Sequence, residues 1–158
     1  MSRTLPVRAT FVAVVLAILG ACAPRGPRAI AYDAEPCDFC RMTISDARFG
    51  AEVLTGTGKQ HAFDSIECLA SFVAAGAPRD VRGAWVSDWN HPGTFLAVDS
   101  ADFRHLVGPA GSPMGKGFVA TARGQVPNGV PDPGPALRWS EVLAAVRVDV
   151  ADEVARAR

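Results

Sequence analysis

In the stretch EPCDFCRMTISD (Glu35 to Asp46), Cys37 and Cys40 stand three apart and Met42 follows two residues later. A C-x-x-C pair supports three chemistries: dithiol–disulfide exchange, a structural zinc knuckle, or capture of a soft ion. The thioether of Met42 favours the third, because thiolate and thioether together are polarisable donors suited to Cu(I). Met114 is the only other methionine besides Met1, and it too lies in a glycine-flanked segment, GSPMGKG, rather than in an apolar stripe. Cys68 is a further sulfur, near the first turn of a predicted helix. There a thiol is more acidic and can act as a ligand, while simple core packing is the competing role.

The rival chemistries have weaker support. A redox dithiol normally opens a helix after a strand in a βαβ pattern, whereas Cys37 follows a proline-rich segment. A closed zinc site of Cys37, Cys40, Cys68 and His61 needs His61 as a ligand and leaves Met42 without a role. His61, His91 and His105 are scattered, no G-x-S-x-G or H-E-x-x-H is present, and a Cys68–His61 pair lacks an orienting third residue. Hydrolytic and acid–base catalysis therefore find little support in the residues. With 16 basic and 16 acidic residues, and no basic run, it has no electrostatic footprint for nucleic acid.

The elements that position these sulfurs are short. Arg48 to Leu54 reads as a strand, Gly56-Thr57-Gly58 as a turn and Gln60 to Phe63 as the returning strand. Asp64 to Ala75 is the clearest helix, with Ile66, Leu69 and Val73 on one face. Asp64 is its expected cap, Glu67 reaches back in a capping box, and Gly76 with Pro78 ends it. Ala84 to Val86 and Thr94 to Val98 are expected as paired strands, Ala101 to Val107 as a short helix closed by Gly108-Pro109, and Phe118 to Ala122 as a strand. Gln125 to Pro135 reads as loop, and a last helix starts near Ser140. The order strand, turn, aromatic plus serine, helix occurs twice (FGAEVLT…FDSIECLASF and FVATA…RWSEVLAAV), each time after a methionine.

The N-terminus carries an address. Arg3 and Arg8 precede a short apolar run, FVAVVLAIL, and Leu19-Gly20-Ala21-Cys22 matches a lipobox in which Cys22 is acylated. Residues 1–21 are thus expected to be a lipoprotein signal peptide and 22–36, rich in proline, a lipidated tether. The domain itself is expected over 37–158, in halves of approximately 37–82 and 83–150. Export places it in an oxidising compartment.

Taken in order, Cys37-x-x-Cys40-x-Met42, ISDARFGAE, FDSIECL, VSDW and SPMG resemble the NosL family, accessory lipoproteins of nitrous oxide reductase. The resemblance runs from Pro36 to about Ala122. It implies an α+β fold of two related small ββαβ units in one compact domain, similar in part to organomercurial lyase. It also implies a membrane-anchored, periplasm-facing copper chaperone that binds Cu(I) and serves apo nitrous oxide reductase. The expected partners are that enzyme, an ABC-type membrane complex of the same system, and membrane lipid through acylated Cys22. Ala23 lacks the aspartate that signals inner-membrane retention in some bacteria, which favours the outer membrane. Cys37, Cys40, Met42 and Met114 are the positions carried over as copper-related, followed by Cys68. Many members have glycine where this chain has Arg41. The other classes open to the residues are a periplasmic thiol-disulfide oxidoreductase acting on copper-protein cysteines and a structural zinc-knuckle lipoprotein.

Overall fold

The computed structural model describes residues 26–76, 80–106 and 112–156. The signal segment and Cys22 lie outside the described residues. The fold is α+β. Among the described residues, six strands and two helices follow in the order β1 (Ala51–Thr55), β2 (Gln60–Phe63), α1 (Ile66–Ala74), β3 (Val81–Asp88), β4 (His91–Ala97), β5 (Ala101–His105), β6 (Phe118–Ala122) and α2 (Trp139–Arg156). The first four strands form an antiparallel sheet in the order β2-β1-β3-β4, and β5 pairs antiparallel with β6. A strand pair followed by a helix occurs at β1, β2 and α1 and again at β5, β6 and α2.

Register decides what each face of the four-stranded sheet carries. Ala51 stands opposite Phe63 and Val86, and Val53 opposite His61 and Ala84, so these side chains share one face. Phe63 and Phe72 of α1 meet there with centroids 5.0 Å apart, above a core of Ile66, Leu69, Val142 and Val146. Burying side chains of this size stabilises the fold by about 1.5–3 kcal/mol each. Glu52 lies on the opposite face, opposite Ala62 and Trp85.

That second face is covered by the stretch expected to be a tether. The Gln60 side chain donates to the Gly26 carbonyl at 3.0 Å, and the Arg28 amide donates to Glu52 at 2.7 Å. Ile30 is buried in the core, and the Asp33 amide donates to the Ile44 carbonyl. From Arg28 onward the chain is a strap laid along β1, not a free spacer. Apolar Ile30 and Tyr32 gain enough by covering the sheet to hold it there. Arg28 also pairs with Glu35, whose carboxyl it holds below the usual range by its hydrogen bond.

Two expectations are corrected. Residues 101–105 form a strand, not a helix: Ala101 through His105 pair with Ala122 through Phe118, and Phe103 also exchanges two backbone bonds with Leu137. Asp99 and Ser100 belong to a single 3-10 turn, Val98–Ser100, that precedes the strand. The cap of α1 is Ser65, with extended backbone, whose hydroxyl accepts from the Cys68 amide at 3.2 Å; Asp64 is one residue too early. Among the described residues no helix is long and apolar enough to cross a membrane.

Candidate metal centre

The sulfur loop is a tight hairpin. Pro36 bridges Thr43, the Cys37 amide donates to the Met42 carbonyl at 2.7 Å, and the Arg41 amide donates to the Cys37 carbonyl at 3.1 Å. Closing this loop puts Arg41 in the left-handed region, at φ +68°, where glycine is the usual occupant. The Asp38 amide donates to the Ala62 carbonyl, fixing the hairpin to the end of β2. Cys68 arrives from the other side, in the first turn of α1.

The outcome is that Cys37, Cys40 and Cys68 converge, with all three sulfurs within 4.8 Å of one another. All three are free thiols; Cys37 and Cys68 are buried and Cys40 is half-buried. Their protons are not equivalent. The Cys37 thiol is pushed down to about 5, foremost because the Cys68 thiol donates to it, with backbone amides of Asp64, Cys40 and Phe39 assisting against burial. Cys68 is pushed up, first by holding that shared proton and then by burial. Burial also raises Cys40. The shared proton thus makes Cys37 the thiol that ionises most readily, and a cation held by the three sulfurs would displace the remaining protons.

The remaining sequence candidates are placed as follows. Met42, two residues past Cys40, is 50% exposed, and Phe39 is 41% exposed on the same hairpin, so the loop shows apolar side chains to solvent. Met114 is half-buried and, like Cys40, packs against the core cluster that contains Cys37 and Cys68. His61 is not in the sulfur group. Its Nδ1 sits 2.6 Å from Asp38 Oδ2, and its ring lies against Phe72 at 4.9 Å.

The segment bearing Met114 has a defined shape. The Gly115 amide donates to the Ser112 carbonyl at 2.7 Å, making a turn with Pro113 and Met114 at its centre. Ser112 Oγ donates to Glu67 Oε1 at 2.5 Å and accepts from the Gly117 amide at 3.1 Å. Sequence reasoning took Glu67 for a partner in a capping box and missed this role. The available signal was an acidic residue inside an otherwise apolar helix start.

No family model matches the chain, and no curated protein matches it. Among solved structures, it is similar to the crystal structure of the copper chaperone NosL from Shewanella denitrificans. The two are 24% identical with a TM-score of 0.50, over 62% of this chain and 79% of that one. At that identity the likeness establishes a shared fold.

Proposed function

We propose that this chain is a Cu(I) carrier: it holds the ion on the converging sulfurs and passes it on by ligand exchange, without turnover. The observation that carries this reading is the three-thiol cluster, two members buried and the third, Cys40, half-buried two residues before exposed Met42. Soft sulfur donors favour Cu(I), which accepts two- or three-fold coordination. Cys37 is ionised first and supplies the initial bond; Cys40 and Met42, on the solvent side, are the donors that an incoming partner can displace. A closed tetrahedral zinc cage would need His61, which Asp38 and Phe72 hold outside the sulfur group. The similar solved structure is named a copper chaperone, which supports the same class of activity.

The finer reading follows from the sequence resemblance to the NosL family. The copper is destined for nitrous oxide reductase in its apo form, with an ABC-type membrane complex as a further partner. Acylation of Cys22 anchors the domain to a membrane facing the periplasm, the outer membrane in preference.

The test is anaerobic Cu(I) titration of the full chain against a competing chelator. Cys37→Ser and Cys68→Ala are expected to lose affinity at least 100-fold, and Met42→Ala and Met114→Ala about tenfold each. Tight zinc binding with unchanged Cu(I) affinity in all four variants overturns the carrier reading. Reversible Cys37–Cys40 disulfide turnover on a partner protein without metal would replace it with thiol-disulfide exchange.

A further inference from the structure

Glu67 is 1% exposed, in the first turn of α1 and adjacent in sequence to Cys68. A carboxylate in an apolar core is costly unless its oxygens are matched by donors. The donors here do not come from its own helix, where Ser65 already serves as the cap. They come from the other half of the chain. Ser112 Oγ donates to Glu67 Oε1 at 2.5 Å and the Phe118 amide donates to the same oxygen at 3.2 Å. Ser112 and Phe118 are the residues that enter and leave the turn carrying Met114. Ser112 is itself 4% exposed, and its hydroxyl also ties down Gly117. Gly117 is forced to be glycine: at φ +73°, an added Cβ would fall 2.1 Å from the Leu106 carbonyl oxygen. Among the described residues Glu67 Oε2 has no hydrogen-bond partner, and both bonds its carboxyl accepts come from the Met114 segment.

We propose that Glu67 is a positioning residue, a latch that fixes the Met114 turn against the helix start bearing Cys68. Resting on the Cu(I) reading, the latch joins the two halves of the sulfur set, the cysteines of the first and the thioether of the second. Among the described residues the backbone hydrogen bonds that bracket Met114 do not cross to α1; the Glu67 carboxyl supplies that crossing by accepting from Ser112 Oγ and the Phe118 amide. Glutamine keeps the accepting oxygen, so Glu67→Gln is expected to preserve the latch where Glu67→Ala removes it.

Two measurements on the full chain test this. In the metal-free protein, amide hydrogen exchange at Gly117 and Phe118 is expected to speed up at least tenfold in Glu67→Ala and in Ser112→Ala, and to stay near wild type in Glu67→Gln. Unchanged exchange in both alanine variants overturns the latch, whatever happens to metal. In the second, Cu(I) affinity is compared across Glu67→Ala, Met114→Ala and the double variant. The expected result is a loss of about tenfold in each single variant and no further loss in the double, because both remove the same donor. Losses that add in full show that Glu67 does not act through Met114 and overturn the proposal. Wild-type affinity in Met114→Ala with accelerated exchange in Glu67→Ala overturns the copper role of the turn while leaving the latch itself standing. If Glu67→Ala does not fold, Ser112→Ala breaks the same bond and takes its place in both measurements.

Discussion

The two helices begin in different ways, one closed on itself and the other tied to distant parts of the chain. In α2 the residue before the helix is Arg138, whose carbonyl accepts the first helical bond from Val142. Three positions past it Glu141, exposed, folds back to accept from the Arg138 amide at 2.6 Å. This is local self-capping. In α1 the cap is Ser65, and three positions past it stands Cys68, whose sulfur is within 4.8 Å of those of Cys37 and Cys40. The acidic residue of that turn, Glu67, is buried and reaches across to the Met114 turn. One helix start satisfies itself; the other is built outward, toward partners distant in the chain.

Removing the distinguishing residue of each start should break the comparison most sharply. Cys68→Ala is expected to cost at least 100-fold in Cu(I) affinity, about 2.7 kcal/mol, by competition titration. Glu141→Ala is expected to leave affinity unchanged and to lower stability by about 0.5 kcal/mol. Equal affinity in the two variants would remove Cys68 from the site.

How much of this was legible in the sequence depends on range. The strand pair around Gly56-Thr57-Gly58 and the helix over Ile66–Ala74 follow from local turn chemistry and 3.6-residue spacing, and both stand with shifted ends. β1 begins at Ala51 instead of Arg48 because Asp46 accepts from the Arg48 and Phe49 region and closes a turn there. The five residues of β5 are too few to show either period, and pairing with β6 and Leu137 decides them. C-x-x-C marked the sulfur hairpin, yet the convergence of Cys68 on it is tertiary: nothing local distinguishes a core cysteine from a cluster cysteine. Glu67 was misread for the same reason, since its partners are 45 and 51 residues away.

The next contrast is in protons. Cys37 is depressed and Cys68 raised by one shared hydrogen bond, whereas the α2 start holds no thiol. A depressed Cys37 contributes stability that is present above the unfolded thiol value, about 8.5, and is lost as pH falls toward about 5. A raised Cys68 contributes stability present below that unfolded value and lost as pH rises beyond it. The metal-free protein should therefore be more stable than Cys68→Ala by a margin that peaks near pH 8.5 and shrinks on both sides. Urea unfolding across pH 5–10 reads this margin. A margin independent of pH would mean the two thiols do not share a proton.

Capping gives a smaller effect. Ser65→Ala removes the hydroxyl that accepts from the Cys68 amide and is expected to cost about 1 kcal/mol in thermal or urea unfolding. It should exceed the cost of Glu141→Ala, because Ser65 is fully buried and water cannot take over its bond. The reverse order would show that the α1 start is held by the sulfur cluster and not by its cap.

The smallest expected effect tests how each half makes its methionine turn. The second half follows Met114 with Gly115 at φ +73°, and the first precedes Met42 with Arg41 at φ +68°. A side chain in this region costs about 1–2 kcal/mol, and glycine gives back about 0.5–1 kcal/mol of that in chain entropy. Arg41 recovers little through its 3.6 Å pair with Asp38, since its side chain is 75% exposed and such pairs contribute about 0–1 kcal/mol. Arg41→Gly is therefore expected to raise stability by about 0.5 kcal/mol, a shift of about 2 °C in Tm. Gly115→Ala should lower it by about 1 kcal/mol. No atom of the described residues lies within 4 Å of the Cβ it would add, so that loss isolates backbone strain from crowding. Cu(I) affinity should be unchanged in Arg41→Gly, because the hairpin bonds from Cys37 to Met42 use no side chain of residue 41. A fall in affinity would instead give the exposed guanidinium a part in holding or releasing the ion, and the strained backbone a reason to be kept.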